Sequence, residues 1–458
     1  MVKIGLEIHG YLNTREKLFC DCKAIHGAKF TKPNANICPI CTAQPGAKPM
    51  LTNKEAINKA IQISLILNCK VNQKFVWQRK HYDWPDLPKG FQSTISGTYA
   101  IPIGEKGKFL GIRITEAHLE EDPASWNPKT GEIDYNKSGY PLIEIVTEPD
   151  FTSSEKVIEW LKQLIETLKY MKVIDKSLGI KADVNISLPE LGGERVEMKN
   201  INSLKNIKTA IEYEIQRQKK SGELPVIQET RMFDENKGVT IKMRTKEAAE
   251  DYRFISEPDL PLIKLEKSRI DKIKKSLPGT PYEKIEKLIK EYRIEKKYAE
   301  ILTKKLEIVE FFEKVIKKSN PKLAVRWVTE ELLSVLNYNK KELEDTNIKT
   351  EGFIGLLENI EDGKITELNA KDILRSWVKK TPARWKIQIK DVIKISDTFE
   401  IEKIIEKVIK ENKKAVNDYH EGKKESLNFL LGQVMRHSKK RADFKTAREI
   451  LENFLKKI

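Results

Sequence analysis

Carboxylates crowd two strand-like stretches of this chain. Arg113 to Asp122 reads Arg-Ile-Thr-Glu-Ala-His-Leu-Glu-Glu-Asp, and Gly139 to Asp150 reads Gly-Tyr-Pro-Leu-Ile-Glu-Ile-Val-Thr-Glu-Pro-Asp. Glu116, His118, Glu120, Glu121, Asp122, Glu144, Glu148 and Asp150 thereby share segments whose other residues are largely apolar. Carboxylates in a half-buried sheet are costly unless cations neutralise them. Hard cations such as Mg²⁺ take oxygen ligands from one or two carboxylates and from phosphates. The chemistry this pattern suits is metal-assisted handling of a nucleotide phosphate; the competing reading is a solvated acidic turn beside a core strand. Glu7 and His9 fall on one side of an alternating N-terminal segment, opposite Val2, Ile4, Leu6 and Ile8; as a pair they are candidates for a second contribution to the acidic site, the alternative being a histidine that only hydrogen-bonds within the fold.

A second metal pattern lies close by. Cys20-Asp-Cys22 is followed after fifteen residues by Cys38-Pro-Ile-Cys41. Four thiolates in two tight pairs close a tetrahedron around Zn²⁺ and leave no open position, so the spacing predicts a structural zinc knuckle; free cysteines are the alternative. Cys69, behind a helix expected over Lys54 to Leu67, reads as a small core residue. Residues 77 to 92 interleave Arg79 and Lys80 with aromatics and are broken by Pro85, Pro88 and Gly90, which predicts a loop able to stack on a base and hold phosphate, or else a packed surface loop.

The elements that must position these groups are strands up to about Pro261 and helices beyond it. Thr152-Ser-Ser-Glu155 is a capping box for a helix whose apolar stripe is Val157, Leu161, Leu164, Leu168 and Met171, expected to cover one sheet face. Alternation returns at Ile180 to Ser187 and in Arg195 to Asn202, followed by a helix over Ile207 to Lys219 and strand-like Gln228 to Arg231, Met243 to Glu247 and Asp251 to Phe254. Acids and guanidinium groups together are the parts phosphoryl transfer needs, and no Walker-type glycine loop is present, so an ATP site here is of the open-sheet kind. Pro258-Asp-Leu-Pro261 marks a boundary before two helical blocks separated near Asp362-Gly363.

At 458 residues the chain divides into two to four domains. Its net charge of +16 favours a polyanionic partner, although Lys/Glu-rich helices also suit a hot habitat. Nucleic acid ranks ahead of membrane because no apolar run approaches a bilayer span. Arg436, Lys439, Lys440, Arg441 and Lys445 form a basic cluster able to hold an RNA backbone; an ordinary solvated helix face is the alternative. The N-terminus shows no export signal, which predicts a cytoplasmic protein with reduced or metal-bound cysteines.

Taken in order, Gly5-Leu-Glu-Ile-His9, Lys17-Leu-Phe-Cys-x-Cys22, Arg79-Lys80, Tyr82-Asp-Trp-Pro-Asp-Leu-Pro-Lys-Gly90, His118-Leu-Glu-Glu-Asp122 and Pro141-Leu-Ile-Glu-Ile-Val146 resemble the GatB type of tRNA-dependent amidotransferase component. Lys199-Asn-Ile-Asn-Ser203, Gln228-Glu-Thr-Arg231, Asp251-Tyr-Arg253 and Leu431-Gly-Gln-Val-Met435 extend the resemblance along nearly the whole chain. The resemblance implies an α+β fold: a glutamine-synthetase-like cradle over 1–262 carrying the zinc knuckle at 20–41, then a helical domain over 263–360 and a tRNA-binding helical tail over 361–458. It implies ATP-dependent amidation of misacylated Glu-tRNA(Gln) or Asp-tRNA(Asn) in a heterotrimer. An amidase-type A subunit supplies ammonia from glutamine through a tunnel, and the two large components are joined by a small C subunit.

By motif position, Glu7, His9, Glu121, Glu144, Asp183 and Glu197 are expected at the Mg²⁺ and phosphate site, with Glu120 as a neighbour, and Lys80 and Glu121 where the tunnel opens. Of these, Glu7, His9, Glu121 and Glu144 are the expected Mg²⁺ ligands. Charge alone adds Arg231, Arg244 and Arg253 as phosphate contacts. The chain departs from the family in reading Pro123-Ala-Ser125 where Ala-Gly-Lys is usual. The related GatE type, restricted to tRNA(Gln), carries a large domain after the cradle for which residues 255 to 300 leave no room. From a different class, the alternative is a noncatalytic zinc-knuckle RNA-binding scaffold whose acidic strands merely pack.

Overall fold

The computed structural model describes residues 1–25, 32–175, 180–220, 228–245, 252–378, 392–395, 397–423 and 425–457, without the side chains of 200, 244 and 245. It falls into two compact units, Met1–Thr280 and Pro281–Ile458.

The first unit is built on β1 (Lys3–Tyr11), α1 (Lys54–Ile66), β2 (Lys70–Val71), β3 (Lys74–Phe75), β4 (Gln78–His81), β5 (Gln92–Thr94), β6 (Gly104–Phe109), β7 (Ile112–Glu121), β8 (Ser125–Trp126), β9 (Ile133–Asp134) and β10 (Pro141–Thr147). It continues with α2 (Ser154–Tyr170), β11 (Ile180–Ser187), β12 (Val196–Ile201), α3 (Leu204–Lys220), β13 (Glu229–Asp234), β14 (Val239–Thr245), β15 (Arg253–Ser256), β16 (Ile263–Lys264) and α4 (Lys267–Ser276). One large sheet runs in the order β14-β13-β12-β11-β1-β10-β7-β5-β4-β15, with β6 also pairing with β7 and β2 pairing with β6. The large sheet followed by helices is the α+β arrangement expected.

β1 is central because its alternation buries Ile4, Leu6 and Ile8, and it pairs antiparallel with β10 on one side and β11 on the other. Helix α2 begins one residue later than the box Thr152-Ser-Ser-Glu155 implies: Ser153, not Thr152, is the N-cap, its side chain accepting from the Lys156 N–H, while Val157, Leu161, Leu164, Leu168 and Met171 are all buried as the stripe predicts. Trp160 locks this helix to the sheet by donating to the Phe109 carbonyl and packing against Phe109 and Phe151. Cys69 is a core residue as expected, and glycines at 104 and 107 let β6 approach it, since a side chain there would collide with Ser64 or Cys69.

The expectation of a loop over residues 77 to 92 needs correcting. Gln78–His81 is a strand that pairs with both β5 and β15, leaving only the segment between β4 and β5 as loop. Gln78 is buried within this strand while Arg79 and Lys80 point to opposite faces, so the basic pair is split by the pleat rather than presented together.

The second unit is helical. Helices 398–411, 413–420, 425–437 and 444–457 enclose a core of their own that includes Ile405, Val408, Leu430, Val434 and Leu451.

Candidate functional site

Because Ile4, Leu6 and Ile8 face the core, Glu7 and His9 turn to the other face of the sheet. Register then sets their neighbours: Glu144 of β10 lies opposite His9, and Asp183 of β11 lies opposite Glu7. One strand further out come Glu120 of β7 and Glu197 of β12. Glu7, Glu120, Glu144 and Asp183 line a cleft of about 810 Å³ whose wall also carries Lys80, Lys181, Lys199, Tyr252 and Arg253, and Glu197 is joined to it through Lys199. A hollow of about 860 Å³ beside Arg15, Glu55 and Lys59 is as large but holds none of these ligand groups.

Two sets of donors form within the cleft face. One donor atom from each of His9, Glu120 and Glu144 lies within 4.8 Å of the others, and the same holds for Glu7, Asp183 and Glu197. Five carboxylates and one imidazole are a suitable donor set for hard divalent cations. The electrostatics show that the face is short of positive charge. Burial raises the Glu7 carboxyl above the usual range, and Glu144, Glu197 and Asp183 push it further in the same direction. Burial opposes the Lys80 and Lys199 cations, yet both are held charged, Lys80 by Glu120 and Glu144 and Lys199 by Asp183 and Glu197. The Lys199 ammonium sits 2.8 Å from Glu197 and 3.5 Å from Asp183.

Polar neighbours fix the orientation of the ligands. Asn185 donates to Glu7 Oε1 at 3.0 Å, Thr230 donates to Glu197 at 3.2 Å, and His9 Nδ1 lies 3.2 Å from Glu120. Burial works against the His9 cation, but Glu144 and Glu120 carry its pKa up to about 9. Behind the cleft, His118 is fully enclosed, with Nε2 3.1 Å from Glu144 Oε2 and Nδ1 3.1 Å from Glu116 Oε1. Despite burial, His118 and His9 hold the Glu144 carboxyl well below the usual range, so it is ionised and ready to accept a cation.

The sequence-derived site residues divide. Glu7, His9, Glu144, Asp183, Glu197 and Lys80 come together, and Arg253 reaches the cleft wall. Glu121 does not join the acidic cluster: adjacent residues on a strand face opposite ways, and Glu121 accepts from the Ser93 N–H and pairs with Lys89 on the knuckle side, beside a hollow of about 240 Å³. Glu120 takes the ligand position instead. Arg231 also turns away. It is buried under α3, donating to Glu229, to the Thr240 hydroxyl and to the Thr240 carbonyl. The Arg244 side chain and the residues Glu247 and Asp251 lie outside the described residues. Glu148 and Asp150 do not line the cleft; they are held by Thr115 and Arg113, near the start of β7.

Sequence reasoning did not single out Lys199 or the support that His118 gives Glu144. The available signal was parity, because Glu116, His118 and Glu120 share one face of β7 and cross-strand pairing sets His118 opposite Glu144.

Cys20, Cys22, Cys38 and Cys41 bring their sulfurs within 4.8 Å of one another, forming a cluster able to hold a metal. Cys41 is drawn toward the thiolate by the Cys20 hydrogen bond, against the cost of burial, and its sulfur accepts from the Cys38 N–H at 3.2 Å. In the helical unit, Arg436, Lys439 and Lys445 are exposed. Lys440 pairs with Asp372, and Arg441 donates to the Ile393 carbonyl, so two members of the basic cluster also hold the fold. Among the described residues no helix is long and apolar enough to cross a membrane.

Comparison with known proteins accounts for both units. Residues 2–271 match the GatB/GatE catalytic domain, and residues 310–455 match the GatB domain. The chain belongs to the GatB/GatE family. Among GatB/GatE relatives, the B subunit of the aspartyl/glutamyl-tRNA(Asn/Gln) amidotransferase of Methanocaldococcus jannaschii is 43% identical over 100% of this chain and 98% of that protein. The protein of the same name from Methanobrevibacter smithii is 44% identical over 96% of each chain, and that from Methanopyrus kandleri is 41% identical over 99% of this chain and 98% of its own. The GatB/GatE catalytic-domain match contains the whole large sheet and both sets of donors.

Proposed function

We propose that this chain is the kinase and transamidase component of a tRNA-dependent amidotransferase, acting in the cytoplasm with an amidase-type A subunit and a small C subunit. The observation that carries the reading is the pair of donor sets on one cleft face, with Lys80, Lys199 and Arg253 beside them. Its substrate is tRNA carrying glutamate or aspartate in place of the cognate amide. The side-chain carboxylate oxygen attacks the γ-phosphorus of ATP and ADP leaves; ammonia then attacks the activated carbonyl and phosphate leaves.

Mg²⁺ bound at the cleft would neutralise the phosphate charge that accumulates in the first step. His9, Glu120 and Glu144 would hold one cation, and Glu7, Asp183 and Glu197 a second. Lys80 and Lys199 orient the remaining negative charge of nucleotide and carboxylate, with Lys80 ammonium also 4.5 Å from the Tyr252 ring centre. Glu121 and Lys89, on the opposite face, are assigned to the ammonia route rather than to the cation. The four cysteines are assigned to a structural zinc, and the cleft carboxylates, facing open space, argue against a scaffold in which they merely pack. We also place the cradle at 1–262 and a division of the helical part near 360, supported by the separate core of residues 395 to 455. Arg436, Lys439 and Lys445 are the exposed phosphate contacts proposed for tRNA.

The test is release of labelled phosphate from ATP by the chain with its partner proteins and free ammonia, in the presence of Glu-tRNA(Gln), Asp-tRNA(Asn) or uncharged tRNA. Release that depends on a mischarged tRNA and is lost in Glu144→Gln supports the reading. Bound tRNA without such release contradicts it.

A further inference from the structure

Lys17 is among the most completely buried side chains of the chain, 1% exposed, and it belongs to neither donor set of the cleft. Its ammonium donates to the Asn36 carbonyl at 3.0 Å, the Tyr135 carbonyl at 3.5 Å and Cys41 Sγ at 3.5 Å, and lies 5.7 Å from the Tyr140 ring centre. Among the described residues no carboxylate comes within ion-pair distance of it. A buried ammonium whose partners are two carbonyls, a ring and one cysteine sulfur is unfavourable unless anionic charge on that sulfur side compensates it. Four cysteinates around Zn²⁺ supply that anion, because such a centre carries two net negative charges.

We propose that Lys17 is the built-in counter-cation of the knuckle metal: it neutralises part of the metal–thiolate charge through Cys41 and makes metal binding and cradle folding mutually dependent. This rests on reading the four cysteines as a zinc centre. The same ammonium joins the knuckle, through Asn36 and Cys41, to the turn at Tyr135. That turn leads into β10, and the backbone around it is tied to the knuckle segment by Leu18 N–H to the Gly139 carbonyl and by the Ser138 hydroxyl to the Cys41 carbonyl. Loss of metal would strand a cation beside the strand that carries Glu144.

The prediction is a reversal of sign. In the full-length chain loaded with zinc, Lys17→Met and Lys17→Gln hold the metal about tenfold to a hundredfold more weakly than wild type in competition with a chelator, as expected for removal of a partner of a metal ligand. They also melt at a lower temperature. After zinc is stripped, both variants melt at or above the wild-type temperature, because a buried cation left with the Cys41 sulfur in place of the whole metal–thiolate centre is gone. Cobalt loading adds a spectroscopic readout, with the thiolate-to-metal absorption shifting when the Lys17 hydrogen bond is removed.

Equal zinc affinity in wild type and variants, or a lower melting temperature for the variants in both states, overturns the proposal while leaving the zinc reading intact. A wild-type chain that holds no zinc overturns both. Should neither variant fold, the wild type still decides: Lys17 resists acetylation with zinc bound and becomes labelled after stripping. Equal protection in the two states refutes the coupling.

Discussion

A concentration of charge lies on each face of the large sheet, and the two concentrations are built differently. Beneath α3, Glu214 and Glu229 are closed off by Arg217 and Arg231, with Arg217 2.6 Å from Glu214 and Arg231 2.9 Å from Glu229, while Thr240 donates to Glu214. Both carboxylates there have a guanidinium, so nothing remains to attract a ligand. On the cleft face, Glu7, Glu120, Glu144, Asp183 and Glu197 share His9, Lys80 and Lys199, and the excess of negative charge is felt at Glu7, whose carboxyl is raised. The first arrangement holds the fold together, and the second is the one proposed to take cations. Composition alone does not distinguish them. What separates them is whether each buried charge already has its partner.

The sharpest way to break this comparison is to mutate one member of each cluster. Glu120→Gln is expected to lower mischarged-tRNA-dependent phosphate release by about a hundredfold or more while leaving the melting temperature nearly unchanged, since it removes a proposed ligand whose internal partners, His9 and Lys80, both keep Glu144. Arg231→Met should do the reverse. It leaves Glu214 and Glu229 buried and undercompensated, at a cost of about 3–5 kcal/mol in chemical denaturation, and no phosphate contact is lost. A stable Arg231→Met chain with weakened ATP affinity would return that arginine to the phosphate site.

A finer test uses neighbours. Glu121→Gln should leave the Mg²⁺ dependence of phosphate release within about twofold of wild type, because its side chain faces Lys89, and should instead impair the use of glutamine relative to free ammonia. Comparable loss of Mg²⁺ dependence in Glu120→Gln and Glu121→Gln would show that the pleat does not separate them.

The smallest effect concerns Cys69, the cysteine outside the knuckle. Burial pushes its thiol up to about 12, above the ordinary value near 9. A raised acid pKa means that folding holds the neutral thiol, so its contribution to stability is complete below about pH 9 and is lost as pH rises toward about 12. Thiol titration of the folded, zinc-stripped chain at pH 8 should therefore find the four knuckle cysteines and not the fifth. Rapid labelling of Cys69 in the folded chain would contradict its place in the core.

Much of this was legible in the sequence because strong periodicity and short-range chemistry agree. The β1 alternation, the α2 stripe and the cysteine spacing each required only local rules, and the structure follows them, with the α2 cap one residue later than read, at Ser153. What sequence did not convey was facing. Glu120 and Glu121 are equally acidic and adjacent, and only the pairing of β7 with β10 shows that Glu120 shares the face of His118 and Glu144. Arg231 lies in a strand-like motif beside acids, but its partner Glu214 is a helical residue of α3 that packs beneath the sheet. Likewise the basic pair Arg79 and Lys80 reads as one patch, whereas the pleat sends Arg79 to Glu257 and Lys80 to the cleft.

The most direct measurement of the cleft's role is Mn²⁺ binding, followed by paramagnetic resonance, to the wild-type chain and to Glu120→Gln, Glu7→Gln and Glu121→Gln. Two saturable Mn²⁺ sites are predicted in wild type, with selective loss of one in Glu120→Gln and of the other in Glu7→Gln, and both retained in Glu121→Gln. Absence of saturable Mn²⁺ in the folded wild type, or a loss in Glu121→Gln equal to that in Glu120→Gln, would contradict it.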